Sequence, residues 1–167
     1  MITKWNFQTP TEEELHKRDR LASQLGLSPV VCLLLVQRGL TTVEEVKKFF
    51  KPSLNDLHDP FLMPDMEKAV KRLNKALGNK EKILIYGDYD VDGTTAVSLV
   101  YKYLRPYSSA LDYYIPDRYD EGYGISYKGI NYARENGITL VISLDCGITA
   151  NHEAALCREL GIDLVIT

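Results

Sequence analysis

Asp88, Asp90 and Asp92 fall within five positions of one another, in the run Gly87-Asp88-Tyr89-Asp90-Val91-Asp92-Gly93-Thr94-Thr95. Like charges gathered so tightly repel, and a divalent cation is the simplest compensation. Carboxylate oxygens are hard donors that suit magnesium or manganese. Gly93 lets the backbone turn sharply into a following helix, whose N-terminus favours a phosphate. Asp145 opens a second polar stretch, Asp145-Cys146-Gly147, after another apolar run. The plain alternative is a set of solvated turn aspartates, with Asp145 serving as a helix cap. What separates the two is whether Asp145 and the first cluster meet on one edge of a sheet.

Two known patterns come close to this run. Asp-x-Asp-x-Asp-Gly opens a calcium EF-hand loop, but the twelfth position should be Glu and is Leu99. An apolar strand also precedes the cluster where a helix is required, so the EF-hand reading fails. Asp90-Val91-Asp92-Gly93-Thr94 resembles the nucleophile motif of haloacid-dehalogenase-type phosphatases. In those enzymes the first Asp directly follows the strand, whereas here Gly87-Asp88-Tyr89 intervenes. That reading stays as the enzymatic alternative, beside a metal- or nucleotide-binding module without catalysis.

The elements that must position these residues change character along the chain. Residues 11–24 place Leu15, Leu21 and Ala22 at helical spacing and stop at Gly26. Ser28-Pro29 has the order of an N-cap and a first-turn proline for a helix ending near Gly39. Thr42-Val43-Glu44-Glu45 is a capping-box pattern opening a third helix through Phe50. A small helical bundle explains these better than a DNA-reading helix-turn-helix, since nothing in the spacing reads bases. Residues 51–64 carry three prolines and no periodicity, which predicts a linker. Residues 65–77 form an amphipathic helix with Met66, Ala69, Val70, Leu73 and Leu77 on one face.

From Lys82 the pattern alternates: strand 83–86, helix 94–104, strand 111–115, helix 126–136, strand 139–144, helix 150–160 and strand 162–166. This order predicts an α/β fold, a mostly parallel sheet with helices on both faces, preceded by a small helical region. The expected domains are 1–64, helical region and linker, and 65–167, an α/β domain. Ligands of such sheets bind outside the carboxyl ends of the strands, where the loops after the first and third strands both lie.

The 167 residues are 45% hydrophobic and 26% charged, the balance of a soluble globular chain rather than a disordered tail. The longest apolar run, 30–36, is far short of the about 20 residues that cross a membrane, and the first residues carry no apolar signal core. Three cysteines, Cys32, Cys146 and Cys157, never form a Cys-x-x-Cys pair, which fits a reducing cytoplasm and no membrane. Net charge is −3, yet residues 1–80 hold 13 Lys/Arg against 10 Asp/Glu and residues 81–167 hold 7 against 13. All 11 tyrosines lie between Tyr86 and Tyr132. A net negative charge does not exclude nucleic acid, because local patches and bridging cations can carry phosphate binding.

Residues 83–95, Ile-Leu-Ile-Tyr-Gly-Asp-Tyr-Asp-Val-Asp-Gly-Thr-Thr, resemble the first motif of the DHH-type phosphoesterases, in the form of the RecJ-type single-stranded-DNA exonucleases. Ile-Pro-Asp-Arg-Tyr-Asp-Glu-Gly-Tyr-Gly-Ile at 115–125 and Ile-Ser-Leu-Asp-Cys-Gly-Ile-Thr at 142–149 extend the likeness. So do Arg38-Gly39, Phe50-Lys51-Pro52 and the stretch 58–70. The resemblance implies a metal-dependent 5′-to-3′ exonuclease that hydrolyses phosphodiester bonds of single-stranded DNA to mononucleotides, in DNA repair and recombination. It implies a two-metal site for Mn2+ or Mg2+, with Asp90, Asp92 and Asp145 as metal ligands and Asp88 as a further catalytic group.

Many relatives carry His where this chain has Tyr86, so one candidate imidazole ligand is absent. Arg118, Tyr119, Tyr123 and Gly124 follow the second strand and are expected to bind substrate, Arg118 on a phosphate and a tyrosine on a base. Leu164-Val165-Ile166-Thr167 would precede the Asp-His-His motif of the family. The stretch therefore reads as an N-terminal fragment, its α/β domain truncated at the C-terminal end and inactive alone. Expected partners are single-stranded DNA and, as candidates, a repair helicase or single-strand-binding protein.

Overall fold

The structure is a computed structural model that describes residues 9–167. The chain divides into two compact units, the first ending at Asp59 and the second running from Pro60 to Thr167. In the first unit, helices α1 (Glu12–Leu25) and α3 (Val43–Phe50) both start in capping boxes. Thr11 accepts from the Glu14 N–H and Thr42 from the Glu45 N–H, while each glutamate reaches back to its threonine. Each box satisfies two backbone donors that a helix start would leave orphaned. Between them α2 (Pro29–Gln37) begins on its proline alone, because the Ser28 side chain makes no cap bond. Leu21, Cys32, Leu35, Val36 and Val46 bring the three helices into one small core. The stretch expected as a plain linker carries two 3-10 turns, Leu54–Asp56 and Pro60–Leu62. The second turn packs on helix α4 (Met66–Gly78), so the unit boundary falls slightly ahead of 64/65.

The second unit is built on four parallel strands in the order β2-β1-β3-β4: β1 (Ile83–Gly87), β2 (Leu111–Tyr114), β3 (Leu140–Leu144) and β4 (Asp163–Ile166). β1 and β3 are buried at every position and largely apolar, as central parallel strands must be, with Ser143 the one fully polar residue in them. Period-2 alternation sorts their side chains. Ile83, Ile85, Leu140, Ile142 and Leu144 meet α4 and α5 (Val91–Leu104) on one face. Leu84, Tyr86 and Val141 meet α6 (Tyr127–Glu135) and α7 (Asn151–Glu159) on the other. The sheet is thus wholly parallel and covered on both faces, as the β-α alternation requires.

Helix α5 starts at Val91 rather than 94, which changes the role of Gly93. Asp90 is its N-cap, the carboxylate Oδ1 accepting from the Gly93 N–H at 2.9 Å. Gly93 therefore lies inside the first turn, buried against the chain as it leaves β1, and is not the hinge expected there.

Candidate active site

The register of the central strands sets the site. Gly87 of β1 pairs with Leu144 of β3, so Asp88 and Asp145 leave neighbouring parallel strands at the same level of the carboxyl edge. Asp88 is only 1% exposed, and its Oδ1 is buried with no hydrogen-bond partner. A buried orphan carboxylate oxygen is costly unless a cation or donor meets it. Asp145 is exposed and adopts a left-handed backbone, φ 59°, which Asp tolerates better than most residues. Gly147 follows at φ 100°, where a Cβ would come within 2.6 Å of Ile125 Cδ1, so the 145–147 turn lies tight against the 123–125 loop.

Asp88, Asp90 and Asp145 act on the same neighbours. Burial first, and then these three carboxylates, push up the Cys146 thiol against an opposing bond from Ser143. Desolvation and the same carboxylates raise the Tyr123 hydroxyl, which donates to the Asp145 carbonyl at 3.3 Å. With its thiol raised and no base beside it, Cys146 is a small buried side chain and not a nucleophile.

Asp92 stands apart from this trio. With Asp90 at the cap and Asp92 two positions on in the first turn, the two do not face each other on the helix. Among the described residues no three His, Cys, Asp or Glu side chains close into a metal-holding group. The strand register thus brings Asp88 and Asp145 to one edge of the sheet, with Asp90 capping the helix that follows and Asp92 in its first turn. Half of the Asp90 carboxylate is already occupied by its helix. The donor set nevertheless fits a hard divalent cation in its chemistry: carboxylates only, one of them buried with a free oxygen.

The loop between β2 and α6 supplies the other wall. Arg118 lies over the Tyr89 ring, 5.3 Å from its centroid, and Tyr89 meets Tyr123 edge to face at 6.5 Å. Arg118 and Tyr123 are therefore brought to the carboxylates, through a residue the sequence reading passed over. Tyr89 sits between two of the aspartates, and that position was the available signal. Tyr119 does not join them: it is 92% exposed and engages no other ring among the described residues. Gly124, expected to bind substrate, turns its carbonyl inward to accept from the Tyr86 hydroxyl at 3.0 Å.

Tyr86 is 1% exposed, stacks on Tyr114 at 5.4 Å, and also accepts from the Ser126 N–H at 3.0 Å. Burial pushes its hydroxyl up to about 12, so it remains a protonated donor and serves the loop. His16, His58 and His152 are exposed.

The second unit is a wholly parallel α/β fold whose carboxyl edge gathers carboxylates between a helix N-terminus and an Arg–Tyr wall. Residues 82–167 match the family model described as "DHH family, N-terminal domain", and the chain belongs to that family. It is similar to the single-stranded-DNA-specific exonuclease RecJ of Bacillus subtilis, 41% identical over 164 residues, covering 98% of this chain and 20% of that protein. The Escherichia coli exonuclease of the same name is 31% identical over 143 residues, covering 84% of this chain and 24% of that one. The chain thus spans about a fifth to a quarter of the length of these relatives.

Among solved structures, an exonuclease RecJ bound to manganese aligns with TM-score 0.57 and 30% identity, covering 64% of this chain and 28% of that one. RecJ in complex with Mn2+ from Thermus thermophilus shares the fold, with TM-score 0.63 and 23% identity over 91% of this chain and 20% of that one. These likenesses do not favour the haloacid-dehalogenase alternative.

Proposed function

We propose that this chain is part of a metal-dependent exonuclease that hydrolyses single-stranded DNA from the 5′ end and releases mononucleotides. The observation that carries the reading is the buried Asp88 carboxylate, its Oδ1 unpartnered, level with Asp145 on the carboxyl edge. The likeness to RecJ exonucleases, two of them solved with manganese, supports it.

Asp88, Asp90 and Asp145, with Asp92 contributing from the first turn of α5, would hold Mn2+ or Mg2+. Bound there, such ions supply the Lewis acidity and activated water of phosphodiester hydrolysis. The chain's own residues do the rest. Arg118 presents a guanidinium to a backbone phosphate, and Tyr89 and Tyr123 offer ring faces on which a terminal base stacks. Asp88 is buried at the floor of the site, where low local dielectric strengthens each charge interaction around it.

The reading extends to a cytoplasmic place in DNA repair and recombination, consistent with three buried, unpaired cysteines. A repair helicase or a single-strand-binding protein would be its protein partner.

The test is turnover of 5′-phosphorylated single-stranded DNA by the natural-length protein with manganese. Mononucleotide release is expected, abolished by chelation and lowered about 100-fold or more in Asp90→Ala, the scale on which loss of one charge-stabilising group shows. Equal cleavage with chelator present, or equal attack on fully duplex ends, would overturn the reading.

A further inference from the structure

Two carboxylates tie the loop that carries Arg118 and Tyr123: Asp117 Oδ1 accepts from the Tyr119 and Asp120 N–H groups at 2.8 and 3.0 Å, and Glu121 joins the loop to its flanking elements. Glu121 accepts from three directions. The Asp117 N–H reaches Oε1 at 2.9 Å, the Tyr114 hydroxyl reaches Oε2 at 2.9 Å and Oε1 at 3.1 Å, and the Ser126 hydroxyl reaches Oε2. These donors belong to the end of β2, the start of the loop and the N-cap of α6. Ser126 Oγ in turn accepts from the Gly129 N–H at 2.9 Å, and the Tyr86 hydroxyl closes the far side through Ser126 N and Gly124 O. Between these ties the chain turns through Gly122 and Gly124 at φ 78° and 93°, backbone that would otherwise be free to move. Burial pushes the Glu121 carboxyl up, but the Asp117, Ser126 and Tyr114 donors outweigh it and hold the group below the usual carboxylate range. It therefore accepts all three bonds as a carboxylate at neutral pH.

We propose that Glu121 is a positioning residue for substrate: it fixes the 117–126 loop so that Arg118 and Tyr123 face the carboxylate edge in the free protein. The inference rests on the reading above that this edge takes single-stranded DNA. Glu121 touches neither the aspartates nor the Arg118–Tyr89–Tyr123 stack, and acts only through the loop. Loss of the anchor weakens binding of ground state and transition state alike, which raises KM and leaves kcat nearly unchanged.

In the natural-length protein with manganese, Glu121→Gln turns an amide N–H2 toward at least one donor. It is expected to raise KM for a single-stranded oligonucleotide about tenfold, with kcat within about threefold. Tyr114→Phe keeps the stacking on Tyr86, removes one of the three donors and is expected to raise KM about threefold. A residue that served folding alone would lower the active fraction, so kcat would fall while KM stayed constant. Either variant showing that pattern refutes the proposal, and if Glu121→Gln does not fold, Tyr114→Phe decides.

Amide hydrogen exchange without DNA gives the second measurement. Residues 117–126 should exchange about tenfold faster in Glu121→Gln, with 83–87 and 140–144 unchanged. Unchanged exchange at 117–126 in both variants refutes the anchor. A wild-type protein without manganese-dependent turnover refutes the functional reading instead, so the two failures are told apart.

Discussion

At Gly93 the absence of a side chain is a requirement of the site and not of a turn. A Cβ there would sit 2.5 Å from the Asp88 carbonyl oxygen and 2.7 Å from its nitrogen, both of them backbone atoms that cannot swing aside. The first turn of α5 must lie this close for Asp90 to cap it beside Asp88. Gly93→Ala is therefore expected to destabilise the second unit by about 2 kcal/mol, the scale of overpacking, seen as a lower midpoint in urea unfolding. Asp88 tests the same spot from the side of charge. Its orphaned oxygen costs stability in the metal-free protein, so Asp88→Asn, uncharged and of equal shape, should raise the melting temperature in chelator while removing the proposed activity. A lower melting temperature in Asp88→Asn would mean that the carboxylate is satisfied by something other than a bound cation.

Among the elements, α4 is tied to the amino end of the sheet by one arginine. Arg72 Nη2 donates to Glu81 at 2.7 Å and Nε to Asp163, joining the helix to the chain two residues before β1 and to the first residue of β4. Glu81 also accepts from the Thr139 hydroxyl at 2.7 Å, ahead of β3. The Thr139 bond first, then Arg72 and Asn79, hold the Glu81 carboxyl down at about 2 from an ordinary 4.5. Because the folded value is depressed, the stabilisation is complete above about pH 4.5 and is lost as pH falls toward 2. Glu81→Gln should consequently melt below wild type at pH 6, and the gap should close between pH 4.5 and 2 in thermal scans. A gap that stayed constant over that window would show that the network contributes through packing rather than charge.

For the whole molecule the sign of the charge makes a prediction about the proposed substrate. Residues 81–167 carry 13 acidic against 7 basic groups, the aspartates of the candidate site among them. Like charges repel over about a Debye length, so single-strand binding should rise with added manganese, not only turnover. Fluorescence anisotropy with a labelled oligonucleotide under non-cleaving conditions measures this, and binding that is indifferent to divalent cation would contradict it. Residues 1–167 taken by themselves should be a very poor nuclease beside the natural-length protein. The chain spans about a fifth to a quarter of its relatives' length, which leaves less surface to position a strand for attack. Equal turnover of the two, abolished in both by Asp90→Ala, would show that the visible aspartates suffice.

The sequence by itself determined that the aspartates end on one edge of a parallel sheet. Apolar runs of strand length alternating with helix-length segments leave only right-handed crossovers, and those put the loops after β1 and β3 on the same carboxyl edge, while the strand order β2-β1-β3-β4 made them neighbours. It also carried the capping boxes and glycine stops, which depend on neighbours three or four positions away. Only the tertiary structure decided what the side chains at that edge do. The helix start at Val91, set by the Asp90 cap, put Asp92 inside the first turn of α5. The register of β1 against β2 stacked Tyr86 on Tyr114 and sent its hydroxyl to a loop some 40 residues later. Arg118 over Tyr89, Glu121 beneath its loop and Arg72 across to Asp163 are likewise pairings between distant positions. Local pattern constrains backbone conformation within a few residues. Such contacts instead follow from where packed helices and strands carry each side chain, and the same sequence periodicity is compatible with many of those arrangements.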